Sequence, residues 1–426
     1  MTIFITLFFL MIILGAPIVF AMGVSGVAYI TMEGIPISIV SQRLFSGLDS
    51  FTIMAIPFFV FAGLIMERGG IARRMIDFAT ALVGWVRGSL LHVSVVAGTG
   101  LAAISGSGSA DTAATASLML PEMRNRRYDI DFAAGLMAAA GSLGPVIPPS
   151  IMMIVLAAVG GLSVGDVFIA GVVPGLLMAM GLLIAAYIHA RVHGGTYSQV
   201  SRFSFKQLAL TAFRAIPAFL MPIIIVGGII GGVFTPTEAA SVAVAVGLIV
   251  GLFVYRELKW KELPTLVLRA AAISASVMMI IAASSIFSWL IARENIPQQL
   301  VVFLQSITDN PLIFLALINA TLLVVGMFLE SIAAILILVP VLMPVVESYG
   351  LDPLHVGVII IINLSVGMVT PPYGITLFVA SSIAERPVIK VASKAMLPLA
   401  FMIAVLLIAT YVPSLVTTLP ELVRNQ

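Results

Sequence analysis

The sequence predicts an all-α polytopic membrane protein built as an inverted repeat, with two re-entrant helical hairpins and broken helices. Three observations carry this reading. The 426 residues are 61% hydrophobic and only 9% charged, whereas a soluble domain carries roughly 25% charge. The apolar residues fall in runs of about 20, the length that crosses a bilayer as a helix. Finally, landmarks of the first half recur in order in the second.

The composition also excludes several classes. With 21 basic and 19 acidic residues scattered between apolar runs, the chain has no nucleic-acid-binding surface. It has no cysteine, hence no disulfide framework, thiol nucleophile or thiolate metal site. Of its histidines, His92, His189, His193 and His355, only His189 and His193 lie close together. They flank Arg191 at the end of an apolar run and read as part of a solvated loop rather than a metal pair. The first 32 residues lack the basic start of a secretory signal and read as a permanent first helix.

Apolar runs of spanning length cover residues 3–30, 51–66, 131–160, 167–188, 214–232, 238–255, 270–291, 353–385 and 395–414. Two further stretches, 90–121 and 311–345, are interrupted at their middles, by Ser105 to Thr112 and by Gly326 to Ser331. Halves of about ten to sixteen residues suit re-entrant hairpins better than full spans. Arg73, Arg74 and Arg87 precede the first stretch and Arg124, Arg126 and Arg127 follow it, so both its ends should face the cytoplasm. The second is bordered by Asp309, Glu347 and Asp352, with no Lys or Arg between Arg293 and Arg386. Its ends should face the opposite side, so the two hairpins enter from opposite faces.

The repeat is visible as three landmarks. Gly63-Leu64-Ile65 parallels Trp289-Leu290-Ile291, Ile147-Pro148-Pro149 parallels Thr370-Pro371-Pro372, and Leu182 to Ile188 parallels Leu406 to Val412, at offsets of 226, 223 and 224. An odd number of crossings separates the copies, so the second is upside down, as in secondary transporters with a midplane site. The expected organisation is an N-terminal scaffold helix in 1–50 and a first repeat in 51–213 with hairpin 90–121 and broken helix 131–160. Connecting scaffold helices follow in 214–269, and a second repeat in 270–426 carries hairpin 311–345 and broken helix 353–385. Residues 67–87 and 294–307 read as amphipathic arms, one at each interface.

The polar residues at depth are the candidate site. Paired prolines Pro148-Pro149 and Pro371-Pro372, preceded by Gly141, Gly144 and Gly367, must break their helices. Broken helices leave carbonyls that can hold a cation, and half-helix N-termini that attract an anion. At the first tip, glycines alternate with Ser105, Ser107 and Ser109. Ser109 could cap the returning helix with Asp111 in its first turn. A carboxylate at membrane depth costs about 2.5–3.5 kcal/mol and usually faces a polar cavity, so Asp111 is read as an ion or substrate group beyond any capping role. Glu330, followed by Ser331, takes the corresponding place in the second hairpin. Asn363, Ser365 and Thr370 approach the second proline pair, and Tyr373 follows it. In Phe234-Thr235-Pro236-Thr237-Glu238, Thr235 or Thr237 reads as a structural N-cap.

Ser105 to Ala114, Gly144 to Ser150, Gly232 to Ala239 and Gly367 to Pro372 together resemble the large membrane subunit of a TRAP (tripartite ATP-independent periplasmic) transporter, DctM type. The resemblance covers essentially the whole chain. It implies a multi-pass protein of the bacterial inner membrane and an elevator-type transporter that imports an organic acid with Na⁺. It also implies a small four-helix membrane subunit of DctQ type and a periplasmic substrate-binding protein of DctP type as separate partners. Substrate would meet Ser105, Gly106, Ser107, Gly108, Ser109, Asp111, Thr112, Pro148, Pro149, Ser150, Pro371 and Pro372. Na⁺ would meet Ser105, Ser107, Gly141 and Gly144 in one half, and Gly326, Glu330, Gly367 and Thr370 in the other. Glu330 departs from the shorter Asp of many relatives, which leaves it as an ion ligand or a helix cap. The alternative is a standalone two-hairpin carboxylate transporter coupled to Na⁺ or H⁺. No enzyme is expected, because Ser105 has no histidine base within reach in the sequence, and no cofactor beyond the coupling ion.

Overall fold

A computed structural model describes residues 2–194, 197 and 202–424. Residues 1–50, expected to hold one helix, hold three: α1 (Thr2–Ile13), α2 (Ile18–Met32) and α3 (Ser38–Leu48). The correction has a local cause. Gly15 takes φ 81° and Pro17 follows, so the chain turns back instead of continuing. Phe4 then packs on Tyr29 and Phe287, with ring centroids 5.7 and 5.0 Å away.

The first repeat contains α4 (Ala55–Arg68), α5 (Ile71–Val83), the hairpin α6 (Ser89–Ser105) and α7 (Gly108–Asn125), the broken helix α8 (Ile130–Gly141) and α9 (Ile151–Gly160), and α10 (Val164–Val192). Two connecting helices follow, α11 (Phe205–Ile230) and α12 (Pro236–Ile249), the latter prolonged by a π turn, Val250–Val254. The second repeat has the same plan. It contains α13 (Leu263–Arg293), α14 (Ile296–Ile307), the hairpin α15 (Pro311–Phe328) and α16 (Ser331–Ser348), the broken helix α17 (Pro353–Gly367) and α18 (Ile375–Ala384), and α19 (Val388–Tyr411). A short α20 (Ser414–Arg424) ends the described chain. The hairpin arms are 17 or 18 residues long, longer than their sequence halves suggested.

Polar caps and glycines set the boundaries. Asp129 accepts from the backbone N–H groups of Asp131 and Phe132 at the start of α8, and Asp352 from Leu354 at the start of α17. Thr235, not Thr237, caps α12, in a capping box with Glu238 and with Pro236 in the first turn. Gly106 and Gly161 end α6 and α9 in the left-handed region.

The inversion is visible in α10 and α19, equivalent helices that pack against each other. α10 starts where Leu162 approaches Gly357 near the foot of the second hairpin. It ends where Ala190 meets Gly88 at the foot of the first. α19 runs the other way, from Lys394 beside Asp129 to Ala409, whose carbonyl meets His355 Nε2 at 2.9 Å. Twenty-nine residues of α10 span about 43 Å, so the hairpins enter from opposite ends. Cross-packing completes the pseudo-two-fold: α7 lies on α18, and α16 on α9.

His193, the C-cap of α10, is exposed as expected, but His189 is not in a solvated loop. It occupies the last turn of α10, where it is buried, stacked on Phe132 at 3.5 Å, and bonded through Nε2 to the Tyr197 hydroxyl at 3.2 Å. Burial raises the pKa of the Tyr197 phenol. An aromatic partner on α8, far in sequence, makes this environment apolar.

The arm α5 leaves α4 at 65° and packs on α6 and α11. The bend is clamped by the loop before α13. Arg74 bonds Glu257 at 2.7 Å and the Gly70 carbonyl at 2.8 Å, while its guanidinium lies 3.7 Å from the Tyr255 ring centroid. Cation–π contacts contribute about 0.5–2 kcal/mol. Arg74→Ala is therefore expected to lower stability by about 1–2 kcal/mol, read as an earlier thermal transition in detergent.

Candidate functional site

The first hairpin tip is built by three successive residues. Ser105 ends α6, Gly106 takes φ 61°, and Ser107 is the extended N-cap of α7. Glycine is required at 106, because a Cβ there would lie 2.7 Å from the Pro149 carbonyl. Ser105 Oγ donates to Asp111 Oδ1 at 2.5 Å and accepts from the Ser107 N–H at 3.0 Å. Asp111 is 2% exposed and its Oδ2 has no hydrogen-bond partner among the described residues. That oxygen lies over Gly144, within 2.9 Å of where a side chain would begin. Gly141 likewise leaves room for Thr112 and the Gly108 carbonyl. The tip thus sits in the break of its own repeat, and absent side chains permit the approach.

The second tip is built differently. Leu329 is extended, and Glu330 is the N-cap of α16, its Oε2 accepting from the Ala333 N–H at 3.0 Å. Gly326 and Gly367 touch backbone to backbone: a Cβ on Gly367 would come within 2.6 Å of the Gly326 carbonyl carbon. The Thr370 hydroxyl donates to Val366 O at 2.7 Å.

The two breaks meet at the pseudo-two-fold. Ser365 Oγ donates to the carbonyl of Ser142, its counterpart 223 residues earlier. Beside it, Asn363 donates to Asn319 at 2.7 Å and Asn319 to Thr410 at 2.9 Å. Helices α7 and α16 start with the same 223-residue spacing. Glu330 therefore corresponds to Ser107, and Asp111 to Ala334. This corrects the expected equivalence of Asp111 and Glu330, since equal position is set by the helix starts rather than by acidity.

Two cavities flank the tips. A cavity of about 480 Å³ lies between both hairpins, with Ser107 and Ser109 on one side and Gly326 to Ile332 on the other. A second, of about 420 Å³, runs from Ser105, Ser109 and Asp111 to α4 and α13, where Glu67 and Arg269 line it.

Among the expected residues, Ser105, Gly106, Ser107, Gly108, Ser109, Asp111, Gly326 and Glu330 line a cavity. Thr112, Gly141, Gly144, Pro148, Pro149, Ser150, Gly367, Thr370, Pro371 and Pro372 line neither. They shape the breaks behind, because a double proline stops a helix; Pro148 and Pro149 are buried in theirs, whereas Pro371 is half-buried and Pro372 exposed. Ser109 does not cap α7; Ser107 holds that place, without a side-chain cap bond. No side chain therefore satisfies the first N–H groups of α7. Sequence reasoning missed Glu67, Arg269 and Phe378. Arg269 immediately precedes the apolar run 270–291 and reads as its flank, whereas α13 begins at Leu263 and takes Arg269 into the helix.

A family model described as the tripartite ATP-independent periplasmic transporter, DctM component, matches residues 5–415. The chain belongs to the DctM family. It is a multi-pass protein of the bacterial inner membrane. This DctM permease is 40% identical over 379 residues to a C4-dicarboxylate TRAP transporter large permease protein of Pseudomonas aeruginosa, covering 89% of this chain and 88% of that one. It is also 40% identical over 410 residues to the isethionate TRAP transporter permease protein DctMQ of Oleidesulfovibrio alaskensis. That match covers 96% of this chain but only 64% of the relative. Among solved structures, the Alcanivorax borkumensis YdaH transporter shares the fold at a TM-score of 0.59. It is 15% identical and covers 91% of this DctM permease and 89% of its own chain.

Proposed function

We propose that this permease imports an organic acid together with Na⁺ after delivery by a periplasmic binding protein. The body formed by α6–α10 and α15–α20 moves as an elevator against α1–α5 and α11–α14, and a small four-helix membrane subunit completes that scaffold. One observation carries the reading: both hairpin tips converge at both helix breaks, where Asp111 leaves a buried carboxylate oxygen unpartnered. Carboxylate, hydroxyl and carbonyl oxygens suit a hard cation such as Na⁺. A co-moving cation also offsets the charge of an acid, and contributes about 2.3 kcal/mol per 100 mV. Relatives of equal identity named for a C4-dicarboxylate and for isethionate share only an anionic cargo.

The test is uptake into proteoliposomes holding the permease and small subunit, with the binding protein outside and its ligand found by a thermal-shift screen of organic acids. Uptake is expected only under an inward Na⁺ gradient. Equal uptake from Na⁺-free medium under a proton gradient sinks Na⁺ coupling, and uptake without the binding protein sinks the tripartite reading. Arg269 lines the second cavity with Glu67, forms no ion pair among the described residues, and would attract the departing anion. Because cavity-rim charges act on capture and release rates, Arg269→Gln is expected to slow initial uptake by about 3–10-fold without changing the Na⁺ requirement.

A further inference from the structure

The two tips offer a ligand unequal ends, and the inequality selects its chemistry. At the first tip no side chain caps the α7 N-terminus, the Asp111 carboxylate of its first turn lines the other cavity, and the Ser107 and Ser109 hydroxyls, which line the larger one, have no protein partner among the described residues. That end suits one carboxylate. At the second tip the equivalent place is filled by the protein itself: the Glu330 carboxylate accepts from the Ala333 N–H and occupies the N-terminus of α16. A second ligand carboxylate would meet neither free N–H groups nor a cation there, but another carboxylate. Between the ends the wall is aromatic. Phe328 and Tyr373 have ring centroids 6.2 Å apart, and Tyr373 and Phe378 5.8 Å apart. All three line the cavity and are 57%, 61% and 44% exposed. Three open rings beside two tips offer a face for another ring.

From this we infer that the permease carries a monocarboxylate with a ring body and a hydroxyl or amino donor, rather than a small dicarboxylate. Its carboxylate sits at Ser107 and Ser109, its ring lies against Phe328, Tyr373 and Phe378, and its donor points to Glu330. The inference rests on the transporter reading above and names the substrate class of that same site.

The experiment titrates the full chain, in lipid nanodiscs with saturating Na⁺, with radiolabelled 4-hydroxyphenylacetate and with radiolabelled succinate. The ring acid is expected to bind about ten-fold more tightly. The double variant Tyr373→Ala/Phe378→Ala should lose that preference to within about two-fold. Glu330→Gln keeps an acceptor for the cap and removes the charge, and should raise succinate affinity several-fold, a gain that misfolding cannot produce. Succinate binding as tightly as the ring acid, or an unaltered preference in the double variant, overturns the ring-acid assignment and leaves the transporter reading standing. Absence of Na⁺-dependent binding of either probe overturns both.

Discussion

Replacing Asp111 by alanine is expected to abolish Na⁺-driven uptake while the complex still assembles. The carboxylate is anchored through one oxygen by Ser105 at 2.5 Å, and its other oxygen is buried and unpartnered. A buried polar atom without a partner costs about 1–3 kcal/mol, and here it faces the break at Gly144 rather than a protein donor. Removing one member of a buried charged pair typically costs 2–5 kcal/mol, so uptake at a fixed Na⁺ concentration should fall by roughly 30-fold or more. Ser105→Ala should act in the same direction, because it frees Asp111 to rotate away from the break. Uptake by radiotracer assay, with size-exclusion chromatography to monitor assembly, distinguishes the outcomes. Normal transport by both variants would show that the tip is structural.

The second large effect is expected at Gly367. A methyl group there would meet the Gly326 backbone at 2.6–2.8 Å, and no rotamer change can move backbone atoms aside. Overpacking of a tight contact costs about 1–3 kcal/mol, and here it pushes the second hairpin off its break. Gly367→Ala should lower the thermal transition and abolish uptake together. Gly23→Ala, at a helical position with nothing within 4 Å, should leave both unchanged. A Gly367→Ala protein with wild-type stability and uptake would show that the Gly326–Gly367 contact is dispensable.

Particular residues show how far the sequence could be read. Ser105-Gly106-Ser107 was legible as a tip because alternating small residues interrupt an apolar run, and the proline pairs were legible as breaks because their chemistry forbids a helix. Glu330 was legible as important, but its partner was not. Acidic character suggested Asp111, whereas the helix starts pair it with Ser107. The first 32 residues looked like one helix because hydropathy is blind to direction. Only Gly15 with φ 81°, followed by Pro17, reports the reversal.

The sequence by itself determined the membrane class, the inverted repeat, the two interrupted hairpins and the family resemblance. Each is written in composition, spacing or motifs along the chain, and hydrophobic length and proline chemistry act locally. Only the tertiary structure decided which groups face one another. Ser365 meets Ser142 from 223 residues away, Arg269 and Glu67 share a cavity with Asp111, and three aromatic rings close on the two tips. These contacts arise because two inverted copies pack across a pseudo-two-fold. That packing brings distant residues together through the shape of helix faces, which no spacing along the chain records.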